Sequence, residues 1–200
     1  MSGENSKQNG TPPQSPEWHP VRSPSEAVRL GLLAEGIWFS HYTPVVGAAQ
    51  IVYMMEGLHG ARAVLDWVAD PAVTVAALVH PVRKSWCGYM VLRHGDPDPD
   101  ACLLSKFYLV PSMRGQGAGA ASLVHAAEAA RSGGARRMWL TVNRHNHAAR
   151  RAYARMGFVC TGTQVADIGN GYVMDDEVWE MDLSAGDADG STASIPGKAS

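Results

Sequence analysis

The feature that most constrains the fold is a glycine-rich loop that leads directly into an alanine-rich helix. In "RGQGAGAASLVHAAEAARSGG" three glycines, Gly115, Gly117 and Gly119, fall within five residues, and a helical pattern then runs to Arg131. Glycine loses more backbone entropy on folding than other residues and adds no packing. Exposed amides and the dipole at a helix N terminus favour an anion such as a phosphate. We therefore expect an anion-binding loop here, and the alternative is a flexible surface turn.

Composition indicates one globular domain. The 200 residues are 46% hydrophobic, which is ordinary for a folded core. Lys and Arg number 17 against 19 Asp and Glu, and this near-neutral balance argues against a nucleic-acid partner. The sequence shows neither a signal peptide nor an apolar stretch long enough to cross a bilayer. We therefore expect a cytoplasmic protein with no membrane partner.

The cysteines give no sign of a disulfide framework or a metal site. Cys87, Cys102 and Cys160 are widely spaced, and each lies in an apolar run. An odd number at such spacing favours buried free thiols in a reducing compartment. No CxxC or HxxxH spacing is present, so we expect no metal.

Both ends of the chain differ in composition from its middle. Residues 1–16 and 184–200 are small, polar and proline-bearing, which predicts two disordered tails. The folded domain is therefore expected at residues 17–183, with no internal repeat.

Within that domain the pattern predicts helices, then an antiparallel meander, then β-α-β-α-β-β. Ser23, Pro24 and Glu26 predict a capped helix start, and Pro44 is expected to interrupt that helix. The three meander strands are "VTVAALVH", "WCGYMVLR" and "CLLSKFYLV". Only the β-α-β unit around the glycine loop requires parallel strands.

Three known phosphate loops compete for the glycine motif, and two of them fit poorly. A Walker loop needs Lys followed by Ser or Thr, whereas Ala120 and Ala121 stand in that region. The dinucleotide fingerprint GxGxxG/A is matched by Gly115, Gly117 and Ala120. However, "PSMR" separates these glycines from the preceding strand, and no carboxylate follows the next strand, as that fingerprint expects.

The third loop pattern, (Q/R)xxGx(G/A), is filled by Arg114, Gly117 and Gly119. With it the chain resembles the GCN5-related N-acetyltransferase (GNAT) superfamily. The segment "LTVNRHNHAARRAYARMGF" is similar to the downstream signature of that family, and the signature positions are Asn146, Ala149, Tyr153, Gly157 and Phe158. The resemblance implies an α/β (α+β) fold, with a mixed, mostly antiparallel sheet whose central parallel strands splay apart between flanking helices.

The resemblance also implies acetyl-coenzyme A (acetyl-CoA) as the cosubstrate, with its pantetheine arm between the splayed strands. A backbone N–H near Leu109 and Val110 would polarise the acetyl carbonyl, a contribution of about a few kcal/mol where charge develops on oxygen. The residues expected to bind the coenzyme are Leu109, Val110, Arg114, Gly115, Gln116, Gly117, Ala118, Gly119, Ala120 and Asn146.

Tyr153 fills the position of the usual general acid of the family. A phenol with an ordinary pKa of about 10 still carries its proton at neutral pH and can give it to the departing thiolate. The alternative is a structural tyrosine, because Tyr153 shares a helical face with Ala149 and Met156.

The resemblance leaves the general base unassigned. Family members often use a carboxylate on the strand before the loop, but "CLLSKFYLV" contains none. The other candidate carboxylates are Glu56, Asp175, Asp176, Glu177 and Glu180.

The acceptor is expected to be a primary amine, as a small molecule, a polyamine or a peptide, that attacks directly in a ternary complex. Trp38, Tyr42 and Tyr53 are candidates to border its pocket, with core packing as the alternative. Two other functions stay open: a nonenzymatic CoA-binding regulatory module and a dinucleotide-binding oxidoreductase. We expect a monomer or homodimer.

Overall fold

The computed structural model describes residues 17–56 and 60–184. The two predicted tails therefore lie outside the described residues, except for Ser184 at the start of the second tail. The strands are β1 Glu17–Pro20, β2 Val73–Val79, β3 Trp86–His94, β4 Ala101–Leu109, β5 Arg137–Asn143, β6 Val159–Gly169 and β7 Tyr172–Asp182. The helices are α1 Pro24–Val46, α2 Ala48–Met54, α3 Ala61–Ala69, α4 Ala118–Ser132 and α5 His147–Arg155. Within the described ranges, no helix has the length and apolar character needed to span a bilayer.

The strands form one mixed sheet in the order β1-β2-β3-β4-β5-β7-β6. Strands β4 and β5, on either side of the glycine loop and α4, pair in parallel. All other neighbouring strands pair antiparallel. The predicted mixed sheet with one central parallel pair is therefore confirmed.

Helices cover both faces of this sheet, which explains why its central strands are nearly continuous apolar runs. Successive side chains of a strand point to opposite faces. In β3, Tyr89 and Val91 pack in the core beneath α1, α2 and α3. Met90 and Leu92 pack in the core beneath α4 and α5.

Helix α1 begins as its sequence predicts but ends later than expected. Ser23 Oγ accepts the Glu26 N–H, and the Glu26 carboxylate accepts the Ser23 N–H, which completes the capping box. The helix continues past Pro44 to Val46, so the predicted interruption is wrong. The break falls at Gly47, whose φ of 83° is far from helical and whose N–H donates to the Thr43 carbonyl.

The cysteine prediction is confirmed at two positions and wrong at the third. Cys87 and Cys102 are buried free thiols, whereas Cys160 is exposed. Cys160 lies on β6, the edge strand, whose first seven residues are all exposed. A short apolar run therefore did not indicate burial there, because no element in the described part of the chain covers the beginning of β6.

The close approach of β3 to β4 generates the first prediction. A Cβ on Gly88 would lie 2.5 Å from Leu109 Cδ2 and 2.8 Å from the Tyr108 carbonyl oxygen. Since the second atom belongs to the backbone, Gly88→Ala must displace the end of β4, and we expect it to lower the free energy of unfolding by about 1–3 kcal/mol. Urea denaturation measures the change.

Gly36→Ala is the matched control, because a Cβ on Gly36 in α1 would meet no atom within 4 Å. Replacing a mid-helix glycine by alanine should stabilise the protein by about 0.5–1 kcal/mol. Equal effects of the two substitutions would contradict the assigned contact.

Candidate active site

The parallel strands β4 and β5 pair only at their beginnings. The pairs are Ala101 with Arg137, Cys102 with Met138 and Leu103 with Trp139, and pairing stops there. Two residues later the register between β3 and β4 shifts, which leaves Ser105 as an extra residue in a β-bulge. A bulge bends its strand and increases the local twist. The remainder of β4 therefore diverges from β5 and leaves a cleft between the two strands.

Backbone groups of β4 point into this cleft. The Val110 N–H donates to the Cys87 carbonyl at 2.9 Å and so faces β3. Because N–H groups alternate between the two sides of a strand, those of Leu109 and Phe107 face the cleft. Of Leu109 and Val110, Leu109 therefore presents its N–H to the cleft. Its carbonyl also faces the cleft and accepts a hydrogen bond from Arg114 at 3.1 Å.

The glycine loop leaves open space above its backbone. Gly115 and Gly117 have φ of 72° and 81°, in the left-handed region that favours glycine, and a Cβ on either would meet no atom within 4 Å. Gly117 caps α4 without a side-chain hydrogen bond. The first amides of α4, from Ala118 to Ala120, therefore have no capping side chain, and the dipole of the helix adds positive potential there.

A large cavity of about 740 Å³ extends from this loop to α5. Its lining includes these predicted binding residues: Leu109, Arg114, Gly115, Gly117, Gly119, Ala120 and Asn146. The remaining predicted binding residues, Val110, Gln116 and Ala118, do not line it. Val110 and Ala118 pack in a small core cluster beside Leu109, and Gln116 Nε2 donates to the Ser112 carbonyl at 2.8 Å.

A small cavity of about 160 Å³ lies on the side of the cleft bounded by α1 and α2. Trp38 and Met54 line it from these helices, and Asp176 lines it from β7. The two cavities have these lining residues in common: Phe107, Tyr108, Asn146, Ala149 and Tyr153. They therefore meet at the cleft between the splayed strands.

Helix α5 places Tyr153 at this meeting point. Asn146 caps α5, and its Oδ1 accepts the Ala149 N–H at 3.2 Å. Tyr153 lies almost two turns further along and is 9% exposed, with its ring edge-on to Phe158 at 5.6 Å between centroids. The packing alternative and a role in the cavities are thus compatible, because the ring contacts the core and also lines both cavities.

Comparison with known proteins agrees with this geometry. The acetyltransferase (GNAT) family model matches residues 40–158. An uncharacterized N-acetyltransferase of Mycobacterium tuberculosis is 35% identical over 135 residues, which cover 66% of this chain and 84% of that protein. The chain belongs to the GNAT family.

Solved structures show the same fold at lower identity. PaiA N-acetyltransferase of Thermoplasma acidophilum, in complex with coenzyme A, has a TM-score of 0.65 at 17% identity and covers 84% of this chain and 99% of its own. A spermidine N-acetyltransferase SpeG chimera from Vibrio cholerae and hSSAT has a TM-score of 0.66 at 15% identity. The match covers 86% of this chain and 98% of the chimera. The family match and the 35% identical N-acetyltransferase of Mycobacterium tuberculosis show that this GNAT protein is an acetyltransferase, and the dinucleotide-binding oxidoreductase alternative is wrong. The mixed sheet, with one parallel pair among its described strands, also differs from a doubly wound fold.

Two arginines of the GNAT site were missed by the sequence analysis. Arg151 and Arg155 line the large cavity from α5, and Arg114 lines it from the loop. The signal was present in "HAARRAYAR", because residues four apart lie on one face of a helix. Together these arginines give the large cavity a positive lining.

The structure separates the candidate carboxylates, and only Asp176 among them lines either cavity. Asp175 pairs with Arg144, Glu177 with Arg150, and Glu180 with Arg137. Glu56 is exposed and borders a groove beside α1 and α3.

The aromatic candidates for the acceptor pocket also separate. Trp38 lines the small cavity, and its indole N–H donates to the Tyr89 hydroxyl at 3.4 Å. Tyr53 lies outside the lining, with its hydroxyl donating to the Ile168 carbonyl at 2.7 Å. The side chain of Tyr42 lies outside the described part of the chain.

Two ionisable side chains of the small cavity have displaced pKa values. Burial raises the pKa of Asp176, a hydrogen bond from the Thr141 side chain opposes this rise, and the charge of Asp175 adds to it. Burial lowers the pKa of Lys106 to about 8, with a further contribution from the positive charge of Arg93. Among the described residues, no cluster of three or more His, Cys, Asp and Glu side chains could hold a metal ion.

Proposed function

We propose that this GNAT enzyme transfers the acetyl group of acetyl-CoA to a primary amine by direct attack within a ternary complex. The observation that carries the proposal is the pair of cavities that meet at Tyr153. Donor and acceptor can enter them from opposite sides and react across the cleft. Holding two reactants in this way replaces an encounter in solution with a reaction between oriented neighbours.

The large cavity suits acetyl-CoA, whose chemistry is that of a thioester acyl donor. The uncapped amides of α4 and the open space above Gly115 and Gly117 fit a diphosphate at the loop. Arg114, Arg151 and Arg155 provide positive charge for phosphate groups. The backbone of Phe107 and Leu109, which faces the cleft, would offer hydrogen bonds to the pantetheine arm, and the Leu109 N–H would polarise the acetyl carbonyl.

Tyr153 is the proposed general acid. It lines both cavities at the point where the thioester and the acceptor would meet. Its phenol would donate a proton to the departing thiolate, which makes the thiolate a better leaving group. Asn146, which also lines both cavities, would contact the pantetheine arm from α5.

The acceptor is proposed to be a small-molecule amine, a polyamine or a peptide amine that carries a positive charge before reaction. The support is the carboxylate of Asp176 in the small cavity. Thiol release from acetyl-CoA, measured with a panel of primary amines, tests the proposal. Normal acetyl-CoA binding without turnover on any amine would instead favour a nonenzymatic CoA-binding module.

Gly117→Ala tests the phosphate loop. A methyl group on Gly117 would occupy the open space above the loop and strain a residue with φ of 81°. We expect acetyl-CoA affinity to fall about 10- to 100-fold, which corresponds to about 1.4–2.8 kcal/mol of lost phosphate contacts. Isothermal titration calorimetry measures the affinity.

Gly134→Ala separates the strain from the lost contacts. Gly134 has φ of 89°, also faces open space and lies beyond the opposite end of α4. It should therefore reproduce the loss of stability and leave acetyl-CoA affinity unchanged. Equal affinities of the two variants would count against phosphate binding at the loop.

Tyr153→Phe tests the general acid. Removing the hydroxyl should lower kcat by about 100-fold or more and leave acetyl-CoA affinity nearly unchanged, because the ring still packs against Phe158. Steady-state kinetics and calorimetry measure the two effects. Tyr172→Phe, outside both cavities, is the control and should retain the wild-type kcat. An unchanged kcat in Tyr153→Phe would remove the phenol from the mechanism.

A further inference from the structure

We propose that Asp176 of β7 is the general base of this enzyme, which takes a proton from the ammonium group of the acceptor in the small cavity. The inference rests on the proposed acetyl transfer and deepens it, because it specifies the ionic form of the acceptor that binds. It also fills the role for which the sequence of β4 offers no carboxylate.

The first observation is an unsatisfied buried carboxylate. Asp176 is 9% exposed, and its Oδ1 is buried without a hydrogen-bond partner among the described residues. A buried carboxylate oxygen without a partner is costly, since it has lost its hydration and gained nothing in return. A cationic ligand in the cavity would supply the missing donor.

The second observation is the direction in which the strand presents this side chain. Asp175 and Glu177 pair with Arg144 and Arg150 on one face of β7. Because strand side chains alternate, Asp176 lies on the opposite face, and it lines the small cavity together with Met174. Alternation thus separates one acidic residue of "MDDEVWE" from its ion-paired neighbours.

The third observation is that β5 lies beside the carboxyl group at the cleft. Asn143 of β5 is directly opposite Asp176 in the ladder, and the Thr141 side chain is close enough to the carboxyl group to oppose the rise in its pKa. Asn143, Thr141 and Asp176 all line the small cavity, as does Tyr153 from α5. The base and the proposed acid therefore border one cavity.

Other ionisable groups face the same cavity and define the electrostatic setting. Lys106 and Tyr108 of β4 both line it. Asp175, the neighbour of Asp176 along β7, adds a negative charge. Lys106 Nζ lies 5.8 Å from the ring centroid of Trp67, which belongs to α3 and is outside the lining. The lysine head is thus held on the α3 side. Among the described residues, no second carboxylate lines either cavity.

The size of the small cavity limits which part of the acceptor it can hold. Its volume of about 160 Å³ is close to that of an engineered cavity that binds benzene. An aminomethyl head with a few further carbons fits such a space, and the rest of a larger acceptor must extend outwards. Recognition would then act on the amine head.

The proposed step balances in protons and electron pairs. Asp176 takes one proton from the ammonium group, which leaves the nitrogen with a lone pair. That pair forms the C–N bond to the thioester carbonyl carbon, and the C–S bond breaks. Tyr153 donates its proton to the thiolate, and the second proton lost by the new amide nitrogen restores the phenol. The proton on Asp176 then passes to water, so each turnover releases one proton.

Asp176→Asn is the test, with Asp175→Asn as the matched control. The probes are spermidine, 2-phenylethylamine and tetra-alanine with a free N terminus, and thiol release from acetyl-CoA is followed from acidic to alkaline pH. The base acts when deprotonated, and burial raises its pKa. As the pH is lowered, kcat/KM of the wild type should therefore begin to fall at a higher pH than it would if the base were an ordinary aspartate. We call this fall the acidic limb of the pH profile.

Asp176→Asn should lower kcat about 100-fold or more and abolish this acidic limb, while its melting-temperature rise with coenzyme A stays at the wild-type value. Asp175→Asn should retain kcat within a few-fold. Its acidic limb should move to lower pH, because a negative charge beside Asp176 has been removed.

Several outcomes would overturn the inference. Wild-type kcat and an unchanged limb in Asp176→Asn would reject the base and leave the proposed acetyl transfer intact. A higher KM with kcat and the limb retained would mean that the carboxylate only anchors the ammonium group. A limb lost in Lys106→Met instead would assign the proton to the lysine. No thiol release by the wild type with any probe would overturn the proposed function together with the inference.

Discussion

The site depends on one interruption in the sheet, the loss of pairing between β4 and β5 after Leu103 and Trp139. In a continuous sheet the backbone groups of Phe107 and Leu109 would be used by the neighbouring strand. The bulge at Ser105 turns this part of β4 away, so these groups face the cleft instead. The cleft is stable because β3 and β7 complete the ladders on the outer sides of the two strands. At this point of the sheet, backbone groups of β4 therefore face a cleft in which a ligand can replace the missing strand.

The glycine loop extends the same logic from the strand to the helix that follows it. Helix α4 begins without a capping side chain, and both positive-φ glycines of the loop face open space. Either feature in isolation would be a local defect in stability. Beside a cleft with exposed amides and a positive lining, they form a continuous surface of donors that suits an extended phosphorylated ligand.

The sequence predicted the parts of this site that are encoded locally. The glycine loop before a helix and the next helix, which carries Tyr153 and is capped at Asn146, follow from glycine spacing and helical periodicity, and the structure contains both helices. The position of Asp176 could not be predicted in this way. Its burial depends on the register between β5 and β7, which sets Asn143 opposite it, and on α1 and α2 closing the cavity. The prediction that Cys160 is buried was wrong for a related reason, since an apolar run does not reveal that β6 is an exposed edge strand.

The proposed proton transfers make a further demand on the site. The acid must be protonated and the base must be deprotonated in the same environment. Burial raises the pKa of both carboxyl and phenol groups, since it disfavours the charged form of each. An ordinary phenol has a pKa about 6 higher than that of an aspartate. When both groups are buried, the carboxyl group therefore still ionises at a lower pH than the phenol. Burial in the small cavity thus raises the pKa of the Asp176 carboxyl group toward that of the amine that it is proposed to deprotonate. A buried carboxylate that lines the same cavity as the proposed acid meets this demand. Asp175 is half-buried, lies outside both cavities and is paired with Arg144.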